Sequence, residues 1–228
     1  LPLLLMPILS SLPWTSSAAE KIRPNVLFIS VDDMNNDLGC YGHPLVKSPN
    51  IDKLAKAGTR FDRAYCQFPL CNPSGTSMLT GRYPKTTGVL GNRDDFRKAH
   101  PDWITLPQWF KQHGYISADT GKIFHGGIDD PDSWTENAMT GIEVEKRPLQ
   151  TKWPLAGDDK LTKNQKSDRR IILEGNGDGH PENAIADRAI GFLRAKHDKP
   201  FFLACGFVQP HSPPTPPRSF YDVYRSKE

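Results

Sequence analysis

Six side chains in this sequence are of the types that bind, attack or exchange protons with a charged substrate: Asp32, Asp33, Cys71, Lys122, His125 and His211. Adjacent carboxylates can share one hard, oxygen-loving cation such as calcium or magnesium if the backbone turns both to the same side. A cysteine offers a nucleophile, a lysine a fixed positive charge, and a histidine proton transfer near neutral pH. Each also has an ordinary structural use. One aspartate can cap a turn while the other is solvated, and a lone cysteine serves as a small buried hydrophobe. Lys122 and His125 read equally as a surface lysine and a satisfied histidine. Their order and company decide between the two readings.

The segments around them have the pattern of an α/β fold, a mainly parallel sheet flanked by helices. Asn25 to Val31 (NVLFISV) is a short apolar run of the kind buried on both faces of a sheet, and it ends at Asp32-Asp33. In open α/β sheets functional residues gather at the carboxyl ends of strands, and the paired aspartates sit at such an end. Ser48-Pro49-Asn50 starts a helix with Ile51, Leu54 and Ala55 on one stripe, and Gly58 stops it. Phe61 to Phe68 reads as an extended segment leading to Cys71. Ser74 to Gly81 (SGTSMLTG) forms a short helix, which places Cys71 just ahead of an anion-attracting N-terminus. Leu106 to Gly114 is a helix, and Ile116 to Thr120 a strand that delivers Gly121-Lys122. Pro181-Glu182 opens a helix with Ile185, Ala189, Phe192 and Leu193 on one side. Phe201 to Val208 is a strand that ends near Pro210-His211. Asp129 to His180 is polar and without periodicity, so it reads as long surface excursions. Gly175 to Gly179 has no phosphate-loop Lys-Ser/Thr and no preceding strand, and reads as a plain turn.

The bulk properties narrow the classes. A chain of 228 residues can bury a full core, and a formal net charge of +3 with scattered Lys and Arg gives no argument for nucleic acid. Residues 1–14 form an apolar run with Ser17-Ala18-Ala19 resembling a cleavage site, so residues 1–19 read as a signal peptide lacking its basic start. The run is too short and Pro-rich for a stable membrane span. The expectation is an exported protein: periplasmic, secreted or lumenal. Cys40, Cys66, Cys71 and Cys205 show no compact disulfide framework, so at most one or two bridges are expected. Leu1 is not a methionine and Glu228 closes a polar stretch, so the expected organisation is a leader followed, at 20–228, by the N-terminal part of a catalytic domain.

Cys71-Asn72-Pro73-Ser74-Gly75-Thr76-Ser77-Met78-Leu79-Thr80-Gly81-Arg82 resembles the sulfatase signature, Cys-x-Pro-Ser-Arg followed by x-x-x-Leu-Thr-Gly-Arg. Pro24 to Asp33 is similar to that family's first strand with its metal aspartates. Leu38-Gly39-Cys40-Tyr41-Gly42 and Pro49-Asn50-Ile51-Asp52-Lys53-Leu54-Ala55 follow in order. Gly121-Lys122-Ile123-Phe124-His125 resembles the motif with a sulfate-binding lysine and a histidine base. Phe201 to His211 resembles the strand that delivers a second histidine. Lys-Ile-Phe-His and Phe-Val-Gln-Pro-His are most similar to the iduronate-2-sulfatase branch of this alkaline-phosphatase-like superfamily. The resemblance runs from Pro24 to the end and is weakest across Asp129 to His180.

The resemblance implies a sulfuric ester hydrolase in which Cys71 is converted to formylglycine by a formylglycine-generating or anaerobic sulfatase-maturating enzyme. Asp32, Asp33 and the converted Cys71 would hold one calcium ion. Lys122 would neutralise the sulfate, His125 would act as base, and His211 would lie on the leaving-group side. The implied substrate is a sulfated carbohydrate, with small sulfate esters behind it. Gly75 stands where the family has arginine, and a further metal pair and a lysine are expected beyond Glu228. Two other readings follow from those departures: an inactive sulfatase-like protein or glycan-binding pseudoenzyme, and a phosphate or phosphonate ester hydrolase of the same superfamily.

Overall fold

The run Phe201–Phe207 (FFLACGF) is apolar at nearly every position, and in the computed structural model it is the central strand of a three-stranded parallel sheet. The structure describes residues 23–145 and 171–225, so the expected leader at 1–19 lies outside the described residues. The strands are β1 (Val26–Val31), β2 (Ile116–Gly121) and β3 (Phe201–Phe207), in the order β1-β3-β2. The register pairs Val31 with Phe207 and Gly121 with Gly206, so all three strands end at one level.

Alternation along β3 divides its side chains between two layers. Phe201, Leu203 and Cys205 pack with Ala189 and Phe192 on a long helix near the end of the chain. That helix, α6, runs Pro181–Arg194. Phe202 and Ala204 face the other way, toward Leu79 and Ile123, with Phe110 stacked on Phe202 at a ring separation of 4.7 Å. Leu79 belongs to α2 (Cys71–Thr80) and Phe110 to α5 (Leu106–Gln112). A capping box starts α5: the Thr105 side chain accepts from Gln108 N–H, and the Gln108 side chain accepts from Thr105 N–H. The other α-helices among the described residues are α1 (Pro49–Ala57) and three four-residue helices, α3 (Pro84–Thr87), α4 (Phe96–Ala99) and α7 (Arg218–Tyr221).

The structure departs from the sequence reading at several points. Helix α2 begins at Cys71 rather than Ser74, with Leu70 as its N-cap. Pro73 does not block this, because a first-turn residue has no intrahelical partner for its N–H. Phe61 to Phe68 is not extended throughout, because it turns at 62–63, and Phe61 and Tyr65 are exposed. The α1 stripe is not a core face: Ile51 and Leu54 are exposed, since no described element covers them. On α6, Ala189 and Phe192 are buried but Leu193 is exposed, one residue further round the helix. Asp129 to His180 is not all surface. Residues 146–170 lie outside the described set, but Asp130 and Ser133 are buried. All four cysteines are free, which lies within the expected ceiling of one or two bridges.

Two glycines let β2 and β3 close up at their carboxyl ends. Gly121 has φ of +81°, and a Cβ there would meet Gly206 O and the Ile185 side chain. A Cβ on Gly206 would collide with the Lys122 carbonyl, while Lys122 N–H donates to Gly206 O at 2.8 Å. Backbone stands on both sides, so neither residue can yield cheaply. Gly206→Ala is expected to cost about 1–3 kcal/mol or more, by overpacking. Gly126→Ala, whose Cβ would meet nothing within 4 Å, should stay within about 0.5 kcal/mol. Urea midpoints at unchanged m-value measure both, and equal midpoints would remove the steric argument.

Candidate functional site

Cys71 occupies the first helical position of α2, where main-chain N–H groups lack intrahelical acceptors. Asn72 fastens this turn to a neighbouring loop. Its N–H donates to Asn92 Oδ1 at 3.1 Å, and its side-chain amide donates to Gly91 O and Asp94 O at 2.9 and 2.7 Å. Cys71 Sγ lies 3.9 Å from Asp32 Oδ2. Burial pushes the Cys71 thiol up, and the nearby Asp32 carboxylate adds to the effect. Enzymes that use a free thiolate lower this pKa instead.

The two aspartates leave β1 in different directions. Asp32 N–H continues the ladder to Phe207 O at 2.9 Å, and its Oδ2 receives the Lys122 ammonium. Asp33 has φ of 58°, in the left-handed region that non-glycine residues rarely enter and where they persist only when the surroundings hold them. That turn brings Asp33 Oδ2 to 3.9 Å from His211 Nε2. His211 Nδ1 lies 2.8 Å from Ser212 O, an acceptor, so Nδ1 carries a proton and Nε2 is the ring atom that faces Asp33.

Lys122 follows β2 directly, and His125 stands three residues on. Both ring nitrogens of His125 are buried and have no hydrogen-bond partner among the described residues. Burial lowers the His125 pKa, and the Lys122 charge lowers it further, so the imidazole is neutral at neutral pH and able to accept a proton. Asp32, Asp33, Cys71, Gly75, Lys122 and His125 line one cleft of about 600 Å³. His211 stands at its margin. One donor atom each from Asp32, Cys71 and His211 lie within 4.8 Å of one another. The structure therefore brings together all six residues selected from the sequence, at the carboxyl ends of three strands and the N-terminus of α2.

The donor set fits a hard divalent cation in part. The grouped donors are the Asp32 carboxylate, the Cys71 sulfur and the His211 imidazole, and the Asp33 carboxylate lies outside that group. A carboxylate favours calcium, the Cys71 sulfur does not, and an oxygen at position 71 after oxidation would. Calcium takes about six to eight oxygen donors, so these residues can supply only some of its shell.

The sulfatase family model matches residues 24–228, nearly all of the chain. The chain belongs to the sulfatase family. It is 37% identical to iduronate 2-sulfatase of Mus musculus over 210 residues, covering 88% of this chain and 37% of that protein. A protein solved in complex with its substrate D-glucosamine-2-N,6-O-disulfate superposes with a TM-score of 0.59 at 27% identity, over 83% of this chain and 35% of that one. Phosphonate monoester hydrolase of Agrobacterium radiobacter shares the fold, with a TM-score of 0.59 at 20% identity, over 88% of this chain and 44% of its own. The fold is the alkaline-phosphatase-like one, and the chain spans well under half the length of the mouse relative.

One support of this sulfatase site was not legible in the sequence. Asp130, 2% exposed, receives a two-pronged contact from Arg97, with Nε at 3.1 Å and Nη2 at 2.7 Å from its two oxygens. Ser133 Oγ donates to the same carboxylate at 2.6 Å and shares a 2.5 Å contact with Thr105 Oγ1. Arg97 Nη1 also donates to the carbonyls of Pro101 and Trp103. This network ties the segment following His125 to α4 and the start of α5. Arg97 and Asp130 stand 33 residues apart, and no local pattern announces such a pair. Removing one partner of a buried ion pair strands the other, so Asp130→Ala is expected to cost about 3–5 kcal/mol. Chemical denaturation checks this, and a loss below about 1 kcal/mol would show the network to be incidental.

Proposed function

We propose that the intact protein hydrolyses sulfate esters of sulfated glycans, with Cys71 converted to formylglycine and a calcium ion held through Asp32 and Asp33. The observation that carries this reading is the position of Cys71 in the first turn of α2, in one cleft with the Asp32–Lys122 pair and with His125, whose ring has no hydrogen-bond partner among the described residues. Membership of the sulfatase family supports the reaction class. The similarity to iduronate 2-sulfatase and to a protein solved with a glucosamine disulfate supports a sulfated sugar as substrate. Conversion of Cys71 needs a formylglycine-generating or anaerobic sulfatase-maturating enzyme as partner. Export is proposed from residues 1–19; no helix among the described residues is long and apolar enough to cross a membrane.

A sulfate ester is anionic, so the site must gather positive charge before a nucleophile approaches sulfur. The Lys122 ammonium and the positive end of the α2 dipole provide it from this chain. A bound calcium would add Lewis-acid polarisation of a sulfate oxygen. The hydrated aldehyde supplies two hydroxyls on one carbon, one to attack sulfur and one whose proton is later removed as sulfate departs. His125, kept neutral by burial and by Lys122, takes that second proton. His211 orients or protonates the departing ester oxygen from the cleft margin. Asp32 keeps Lys122 fixed over the nucleophile position.

Sulfate release from a 2-O-sulfated uronic acid disaccharide, with and without a chelator, tests the reading. Turnover that a chelator abolishes and calcium restores is expected. A phosphonate monoester turned over in preference would favour the phosphonate hydrolase reading. Glycan binding without turnover would favour the pseudoenzyme.

Gly75 is where activity is weakest on this reading. It is the fifth residue of α2 and lines the cleft, and a Cβ there would meet only Ile123 O, at 4.0 Å. The Cβ of an arginine would meet no clash, and its guanidinium would bring a fixed charge and a planar fork of donors to the cleft that holds position 71. Glycine inside a helix also costs about 0.5–1 kcal/mol relative to alanine. The natural protein is therefore expected to have low sulfatase activity and Gly75→Arg to raise it. Mass spectrometry of the Cys71 peptide separates improved conversion from improved turnover, because formylglycine is lighter than cysteine. Complete conversion and undiminished turnover with Gly75 in place would overturn this expectation.

A further inference from the structure

Beyond Phe207 the chain leaves the sheet, so the main-chain groups between β3 and His211 need partners outside the ladder. Glu182, in the first turn of α6, meets that need. Its Oε2 accepts from Val208 N–H at 3.0 Å, and the Gln209 N–H points at the same carboxylate. The carbonyl of Val208 in turn accepts from His211 N–H at 2.9 Å. A single residue, Val208, therefore joins the Glu182 carboxylate to the main chain of His211. The rest of the loop is fastened from the same helix end. His180, the N-cap of α6, bonds Thr215 Oγ1 through Nε2 at 2.9 Å. Thr215 N–H donates to Gln209 Oε1 at 2.9 Å, and Gln209 Nε2 donates to His211 O at 3.3 Å. Burial pushes the Glu182 carboxyl up, against the pull of its two amide donors, so a charged group is held there at some cost.

We propose that Glu182 is the positioning residue for His211: it bonds the β3 exit and thereby holds the imidazole opposite Asp33. The inference rests on the sulfatase reading of His211. Glu182 does not touch the reacting atoms, and it acts through the loop. Glutamine keeps one acceptor oxygen for Val208, and alanine keeps none.

The test compares Glu182→Ala and Glu182→Gln in the intact protein, each alone and in a His211→Ala background. Glu182→Ala is expected to lower kcat about 10- to 100-fold with KM little changed, as for a misplaced catalytic group. Glu182→Gln should restore most of the rate. In the His211→Ala background both substitutions should have almost no further effect, since coupled residues are not additive. Equal losses in both backgrounds would overturn the proposal. If Glu182→Ala does not fold, the glutamine variant in the two backgrounds still decides. If the unaltered protein shows no sulfate ester turnover, the sulfatase reading fails by itself. The positioning claim is then read from the His211 ring resonance in ¹³C-histidine-labelled protein, identified by its loss in His211→Ala. A shift of that resonance in the Glu182 variants supports positioning, and an unchanged one overturns it.

Discussion

Parallel pairing of β3 with a strand on each side is the constraint on which the site depends. Registers that place Val31 beside Phe207 and Gly121 beside Gly206 end the three strands at one level. The chain leaves that level at Asp32, Lys122 and the loop to His211, from segments far apart in sequence. Parallel strands require crossovers, and here the crossovers carry α2 and α5 over one face of the sheet and α6 over the other. The core is thus the means by which distant charged groups reach one cleft.

Bringing such groups together costs desolvation and like-charge repulsion, and the structure offsets both locally. Asp32 is paired with Lys122, so a carboxylate and an ammonium share one partly buried position. Asp33 is turned away by a left-handed backbone and faces His211. Two carboxylates in sequence therefore serve two different partners. Asp32, Cys71 and His211 present donor atoms within 4.8 Å of one another, so a cation held there would belong to the same charged cluster as the nucleophile position in the proposed mechanism.

Around this centre, polar contacts replace hydrophobic packing as the means of fixing loops. Arg97 and Asp130 hold the segment after His125, Asn72 and Asn92 hold the turn at Cys71, and Glu182 holds the approach to His211. Loops that carry functional groups cannot be buried in apolar core, so their main-chain groups are satisfied by side chains instead.

The sequence by itself determined the strands, the helix-bearing crossovers and the identity of the six clustered residues. Those signals are local: apolar runs ending in charged residues, Gly and Pro punctuation, and a signature from Cys71 to Arg82 that departs from the family only at Gly75 among its named positions. Its errors were also local patterns read without their surroundings. The stripe on α1 and Leu193 on α6 are apolar at helical spacing yet exposed, because burial depends on what lies opposite. The helix at Cys71 starts earlier than its Ser-Gly pattern suggested, because a first-turn proline sacrifices no hydrogen bond. Only the tertiary structure decided that Asp32 takes Lys122 while Asp33 takes His211, since that choice rests on one φ angle. The Arg97–Asp130 and Glu182–Val208 contacts were also beyond the sequence. Each joins residues more than 20 positions apart through one or two hydrogen bonds, and such pairings have no periodicity to betray them.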